Sequence, residues 1–203
     1  MTGDLNVIIA GVGGQGSILA SHMVATAAIK DGLKARVGET FGAAMRGGAV
    51  ASHVRIGKEV YSPLVQTGDA DIVLAMEPLE GLRTSVNYLK KGGMMITNIH
   101  PWLPMDVSIG RAAYPTIEEI KDAAGKLGGS MVEIDGTALA QQAGNVRTLN
   151  VVMLGALAAT GKLPCKAETL KEVVKASVPP KTIDVNLKAF DIGFEWMKSK
   201  LGA

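Results

Sequence analysis

The chain has 203 residues, of which 47% are hydrophobic and 20% charged, with a formal net charge of +2. That length suffices for one substantial core, and the near-balance of charge gives no basis for a nucleic-acid or anionic-membrane partner. Aromatics at 4% also argue against a stacking platform for single-stranded nucleic acid, and the lone Cys165 excludes both an internal disulfide framework and a cluster held by four cysteines of this chain.

Met1-Thr2-Gly3-Asp4-Leu5 has no basic n-region or long apolar stretch, so no secretory leader is expected. The longest apolar runs, such as 151–159, are interrupted by glycine and fall short of a membrane span. With Cys165 read as a small buried or half-buried thiol, the expectation is a soluble, cytoplasmic chain.

Residues 5–10 form an apolar run that ends in glycines, the pattern of a buried parallel strand. Residues 17–30, rich in Ala, Leu, Ile and Met, read as a helix stopped by Asp31-Gly32, and 34–39 as a second strand. Together they make a βαβ-type unit. Residues 50–56 alternate, with Val50, Ser52, Val54 and Ile56 on one face and Ala51, His53 and Arg55 on the other. Gly57-Lys58 predicts a hairpin turn with a return at Val60-Tyr61, and hence a mixed sheet.

Further strands are expected at 72–76, 94–99 and 132–135, with helices at 78–89, opened by Pro78, and at 117–126. From Gly136 onward the pattern is helical. Asn145 is positioned to cap an almost continuously apolar helix over 146–160, closed by Gly161, and helices over 167–176 and 183–200 follow around Pro179-Pro180. A helix apolar on most sides is either deeply buried or covered by another subunit.

Gly11-Val12-Gly13-Gly14-Gln15-Gly16, followed by Ser17, satisfies G-x-G-x-x-G between a strand and a helix. Glycines there let the backbone approach a phosphate, and the helix start offers unpaired N–H groups to an anion. No Gly-Lys-Ser/Thr follows, which excludes a Walker A loop. Glu39 lies somewhat beyond the spacing of about 20 residues expected for a ribose-binding acid. Three readings stay open: tight strand–helix packing, an anionic or nucleotide-like ligand, and a nicotinamide or flavin dinucleotide.

A second constellation, Phe41-Gly42-Ala43-Ala44-Met45-Arg46-Gly47-Gly48, sits at the carboxyl end of the second strand, the edge at which doubly wound folds bind ligands. Arg46 offers a planar cation for phosphate or carboxylate beside the side-chain-free turn Gly47-Gly48; a structural ion pair is the alternative. No Ser/His/Asp grouping, metal-ligand spacing or lysine electron sink is legible. His22, His53 and His100 read as structural, and no catalytic residue is assigned to this chain.

The glycine loop Gly11, Gly13, Gly14, Gln15, Gly16, together with Arg46-Gly47-Gly48 followed by Ser52-His53-Val54-Arg55-Ile56, resembles the gamma-type domain of the pyruvate and other 2-oxoacid:ferredoxin oxidoreductases, and the resemblance covers the whole chain. Asn98-Ile99-His100-Pro101, Gly110-Arg111-Ala112-Ala113-Tyr114-Pro115 and the tail 179–196 with Asn186 and Gly193 resemble, within that family, the members acting on indolepyruvate and other aryl pyruvates. A gamma subunit serving pyruvate or 2-oxoglutarate is the alternative within the family.

The resemblance implies an α/β, Rossmann-like three-layer sandwich with a mixed, mostly parallel sheet and a helical C-terminal segment. It implies one domain over 1–203, with an α/β core in 1–135 and helices in 136–203. It further implies an accessory subunit of an oxidoreductase that decarboxylates a 2-oxoacid to an acyl-coenzyme A and passes electrons to ferredoxin. Thiamine diphosphate and iron–sulfur clusters would lie on a larger partner in a hetero-oligomer, ferredoxin would be reached through that partner, and no cofactor would be bound tightly by this chain. Coenzyme A is the expected ligand of the glycine loop. Outside the family, the sequence leaves open a self-sufficient dinucleotide-dependent dehydrogenase and a non-catalytic nucleotide-binding assembly module.

Overall fold

A computed structural model describes residues 4–42, 44 and 47–202. Six strands form one sheet in the order β2-β3-β1-β4-β5-β6, with β1 Leu5–Val12, β2 Lys34–Phe41, β3 Ala49–Gly57, β4 Ala70–Ala75, β5 Leu89–Asn98 and β6 Ser130–Ile134. The pairings β1–β4, β4–β5 and β5–β6 are parallel, whereas β3 runs antiparallel to both of its neighbours, β1 and β2. The sheet is therefore mixed and mostly parallel, as expected.

The expected hairpin is corrected. β3 pairs along its whole length with β2 on one side (Val37 opposite Val54) and with β1 on the other (Val7 opposite Val54). Both hydrogen-bonding edges of β3 are taken, so no edge remains for a return strand at Val60-Tyr61. Those residues lie in an irregular crossing to β4, with Val60 buried and Tyr61 exposed.

Strand periodicity sorts the core into two faces. Val7, Ile9, Val54, Ile56, Ile72, Leu74 and Ile96 share one apolar cluster with α1 (Ser17–Lys30), α5 (Gly136–Ala143), α6 (Leu149–Ala159), α7 (Ala167–Ser177) and α8 (Ile183–Leu201). Ile8, Ala10, Val73 and Met95 face the other way, where α2 (Pro78–Tyr88) and α4 (Ile117–Gly125) pack. Both faces of the central strands are covered, which is why β1 reads as a continuous apolar run with no polar face.

Local chemistry sets the helix ends. Pro78 occupies the first turn of α2, and the Glu77 carboxylate accepts from Glu80 N at 2.8 Å. Thr116 and Glu119 form a reciprocal capping box at the start of α4. Asn145 caps a 3-10 turn, Val146–Thr148, so the α-helix starts at Leu149, three residues later than the apolar pattern suggested. Residues 150–158 of α6 are all buried within this chain, so that helix is core and offers no apolar face to another subunit. The short helix α3 (Met105–Ser108) lies in the excursion between β5 and α4, where Trp102, Leu103, Met105 and Ile109 are exposed. No described helix is long and apolar enough to cross a membrane.

Candidate ligand-binding cleft

Because β1, β4, β5 and β6 run parallel, the connections that leave their carboxyl ends gather at one edge of the sheet. The glycine loop after β1 is built from tight internal bonds. Gly14 and Gly16 hold φ of +111° and +82°, which side-chain-bearing residues seldom adopt. Gln15 turns inward, where its Oε1 accepts from Val12 N at 2.8 Å and its Nε2 donates to Met76 O at 3.4 Å. Gly11 permits this fold, since a Cβ there would stand 2.8 Å from Gln15 Oε1 and 3.0 Å from Ser17 Oγ.

The two glycine constellations meet through their backbones. Gly13 N donates to Gly48 O at 2.8 Å, and Gly47 N donates to Gly13 O at 3.2 Å. Arg46 lies outside the described residues. The loop amides of Val12, Gly13 and Gln15 are thus satisfied within the chain. The amides of Ser17, Ile18 and Leu19, the first turn of α1, have no acceptor among the described residues. Ser17 is buried, and its Oγ is unpartnered.

A cleft of about 640 Å³ opens beside this loop. Gly14, Gln15 and Gly16 form one wall, while His100, Pro101 and Trp102 after β5 contribute another. Thr137 of α5, Arg147 of the 3-10 turn, and Leu149 and Asn150 of α6 also line it. The Asn98 carboxamide fixes the floor: Nδ2 donates to Met76 O at 3.1 Å, and Oδ1 accepts from Thr137 N at 3.3 Å. Asn150 Nδ2 reaches Gly16 O at 3.4 Å, joining α6 to the start of α1. Arg147 is the one lining side chain of fixed charge, no carboxylate lines the cleft, and Arg147 forms no salt bridge among the described residues. Such a cleft suits a ligand with anionic and apolar parts.

The wall bearing Trp102 is anchored from beneath by Glu77, which is 1% exposed. Its Oε1 accepts from Trp102 N at 3.3 Å and from the Tyr114 hydroxyl. Burial, then the bond to Glu77, holds the Tyr114 phenol protonated well above the usual tyrosine range.

The remaining sequence candidates lie elsewhere. Glu39 faces His22 of α1 at 3.4 Å and does not line the cleft. His53 is buried on β3, where Nδ1 accepts from Val65 N at 3.3 Å and the ring meets Tyr88 edge-on. Its surroundings are those of a structural residue. Burial pushes the Cys165 thiol up to about 11, aided by the nearby Asp31 carboxylate. Among the described residues no three His, Cys, Asp or Glu side chains group to hold a metal ion.

Sequence reasoning missed Arg147 and Trp102. Arg147 did carry a signal: a cation in the first turn of a helical segment opposes the backbone dipole, so something other than helix stability has to account for it.

The fold and cleft define an α/β ligand-binding subunit, and the family follows from comparison. The model of the pyruvate ferredoxin/flavodoxin oxidoreductase family matches residues 6–196, and the chain belongs to that family. It is 46% identical over 200 residues to the indolepyruvate oxidoreductase subunit IorB of Thermococcus kodakarensis and 48% identical over 199 residues to the subunit of the same name from Pyrococcus horikoshii, covering 98% of each chain in both cases.

Among solved structures, the gamma subunit of a keto/oxoacid ferredoxin oxidoreductase from Geobacter sulfurreducens aligns at TM-score 0.71 and 27% identity, over 98% of this chain and 99% of that one. The 2-oxoglutarate:ferredoxin oxidoreductase of Magnetococcus marinus, solved with 2-oxoglutarate, coenzyme A and succinyl-CoA bound, aligns at TM-score 0.75 and 25% identity. That alignment covers 98% of this chain and 32% of the longer one.

Proposed function

We propose that the chain is the small accessory subunit of a cytoplasmic 2-oxoacid:ferredoxin oxidoreductase acting on indolepyruvate and other aryl pyruvates, and that its cleft receives coenzyme A. In the reaction the bond to the carboxylate carbon breaks and carbon dioxide leaves, a carbon–sulfur bond to coenzyme A forms, and the electron pair passes to ferredoxin. Thiamine diphosphate and iron–sulfur clusters belong to a larger partner; a thiolate-held cluster does not fit this chain, whose one cysteine is buried and protonated. All 203 residues are read as one gamma-type domain. In support, the helices of 136–203 share a single apolar cluster with the strands and α1 of 1–135.

The observation that carries the reading is the character of the cleft, which holds groups suited to binding and none suited to bond-breaking. The free amides at the start of α1 and the Arg147 guanidinium favour phosphate oxygens, and the apolar floor at Leu19, Leu149 and Val151 admits a neutral arm. The proposed site residues are Gly11, Gly13, Gly14, Gln15, Gly16 and Ser17 of the loop with Arg46, Gly47 and Gly48 of the adjoining turn. Within that set, Gly11 and Gln15 shape the loop from inside.

Co-purification from the native organism, followed by assay of aryl-pyruvate- and coenzyme A-dependent reduction of an electron acceptor, tests the proposal. Recovery with a larger, cysteine-rich, thiamine-containing chain, with activity in the complex alone and hydrogen-exchange protection of 13–17 by coenzyme A, is the expected result. A chain that purifies alone and binds a dinucleotide tightly would overturn it.

A further inference from the structure

We infer that this chain reads the nucleotide end of the coenzyme itself, with Trp102 stacking on the adenine and Arg147 holding a phosphate, so that these two residues set the specificity of the cleft. The inference rests on the reading of coenzyme A as the ligand and adds the residues that recognise it.

Three observations carry it. Trp102 lines the cleft while 56% exposed, an indole left open to solvent on an otherwise well-packed molecule. It is not a loose surface residue, because its backbone N is held by the buried Glu77 carboxylate at 3.3 Å. An anchored, open aromatic face is a stacking platform, and every purine presents a π-face to it.

Arg147 stands in the same cleft with no carboxylate partner among the described residues. A planar cation that no protein acid neutralises is matched to a phosphate.

Asn150 and Asn186, 5% and 8% exposed, also line the cleft, and nothing among the described residues donates to the side-chain oxygen of either. Buried acceptors are ordinarily satisfied, so these two call for N–H or O–H donors on a ligand. Coenzyme A combines an adenine, phosphates and an arm with two amide N–H groups, which meets all three requirements. A dinucleotide lacks the amide-bearing arm, and a simple anion lacks the ring.

The test uses the complex with its larger subunit, titrated with coenzyme A, comparing wild type with Trp102→Phe, Trp102→Ala and Arg147→Gln. Trp102→Ala is expected to raise the KM for coenzyme A by roughly tenfold to a hundredfold with kcat nearly unchanged, because stacking on the base is lost while the reacting centre is untouched. Trp102→Phe, which keeps a ring, should stay within about fivefold of wild type. Arg147→Gln should raise that KM about tenfold or more while leaving the KM for the 2-oxoacid in place. In wild type, coenzyme A should slow hydrogen exchange at both 13–17 and 99–104.

An unchanged KM in Trp102→Ala and Arg147→Gln, with wild-type protection at 13–17 intact, overturns this inference and leaves the coenzyme reading standing. Dissociation of the Trp102→Ala complex also overturns it, since Trp102 would then anchor the interface. Absence of protection anywhere in the wild-type chain removes the coenzyme reading, and the inference with it.

Discussion

Gly155 of α6 and Gly193 of α8 each rest against the other helix's main chain: a Cβ on Gly155 would stand 2.1 Å from Phe190 O, and one on Gly193 would stand 2.0 Å from Val152 O. The obstacle in both cases is backbone, which cannot rotate away as a side chain can. Gly193→Ala must therefore push two helices apart, at an expected cost of about 3 kcal/mol and a fall in Tm of roughly 6–12 °C by thermal unfolding. Gly125→Ala is the control. Its Cβ would meet open space near the end of α4, so the variant should be neutral or gain up to about 1 kcal/mol. Equal Tm values for Gly193→Ala and wild type would show that the helices do not cross at this distance.

Glu77 gathers Glu80 N, Trp102 N and the Tyr114 hydroxyl in a buried position. Glu77→Ala strips three donors of their acceptor and is expected to cost about 3 kcal/mol, whereas Tyr114→Phe removes one bond and should cost about 1–2 kcal/mol. Hydrogen exchange reports the location. Both variants should speed exchange across 99–115 more than in β5, and unchanged exchange there would mean that the excursion is held by other contacts.

Burial lowers the pKa of His53, so the folded protein keeps this ring neutral at pH values where the unfolded chain takes up a proton. Unfolded chains then bind more protons as pH falls below the ordinary histidine value of about 6.5, and stability declines progressively from that point. His53→Gln should be less stable at pH 7.5, by about 1–2 kcal/mol, and should show a flatter profile between pH 7 and 5 in urea titrations. Asp31 acts in a separate window. The bonds from Lys166 N and the Thr169 hydroxyl lower its pKa, so its contribution is present at neutral pH and is lost below about pH 4. A wild-type profile that is flat from pH 7 to 5 contradicts the assignment for His53.

Cys165, with its thiol at about 11, has about a thousandth of its population as thiolate at pH 8. Native protein should react with Ellman's reagent roughly a hundredfold more slowly than protein in guanidinium, where the thiol is exposed and ordinary. Fast stoichiometric labelling of the native chain would place the residue in an accessible, activated setting.

The element pattern was largely legible because both helix ends and buried strands leave local marks. Pro78, Gly161 and the apolar run into Gly11 needed no partner to be read. The 50–56 strand was also found, along with the faces of its side chains. Its partner was not: Gly57-Lys58 looks like a hairpin turn, but β3 is claimed on both edges by β1 and β2. Pairing is a competition among edges, and that competition is non-local. The site was half legible. The glycine loop and the Gly47-Gly48 turn were placed at one edge of the sheet, and their backbones bond directly to each other. Arg147 and Trp102 come from segments far along the chain, and no spacing rule joins residue 16 to residue 102 or 147.

By itself the sequence determined the local conformations, the family motifs and the poverty of catalytic groups, since these depend on residue type and near neighbours. It also determined that this chain can hold no four-cysteine cluster, because one cysteine is a matter of counting. Only the tertiary structure decided that the apolar helix α6 is internal, that Gln15 turns inward, and that a cleft with one unpaired arginine and an anchored tryptophan opens beside the loop. Those outcomes depend on which surfaces meet when six strands and eight helices compete for the same core, and that competition is settled by packing over the whole chain.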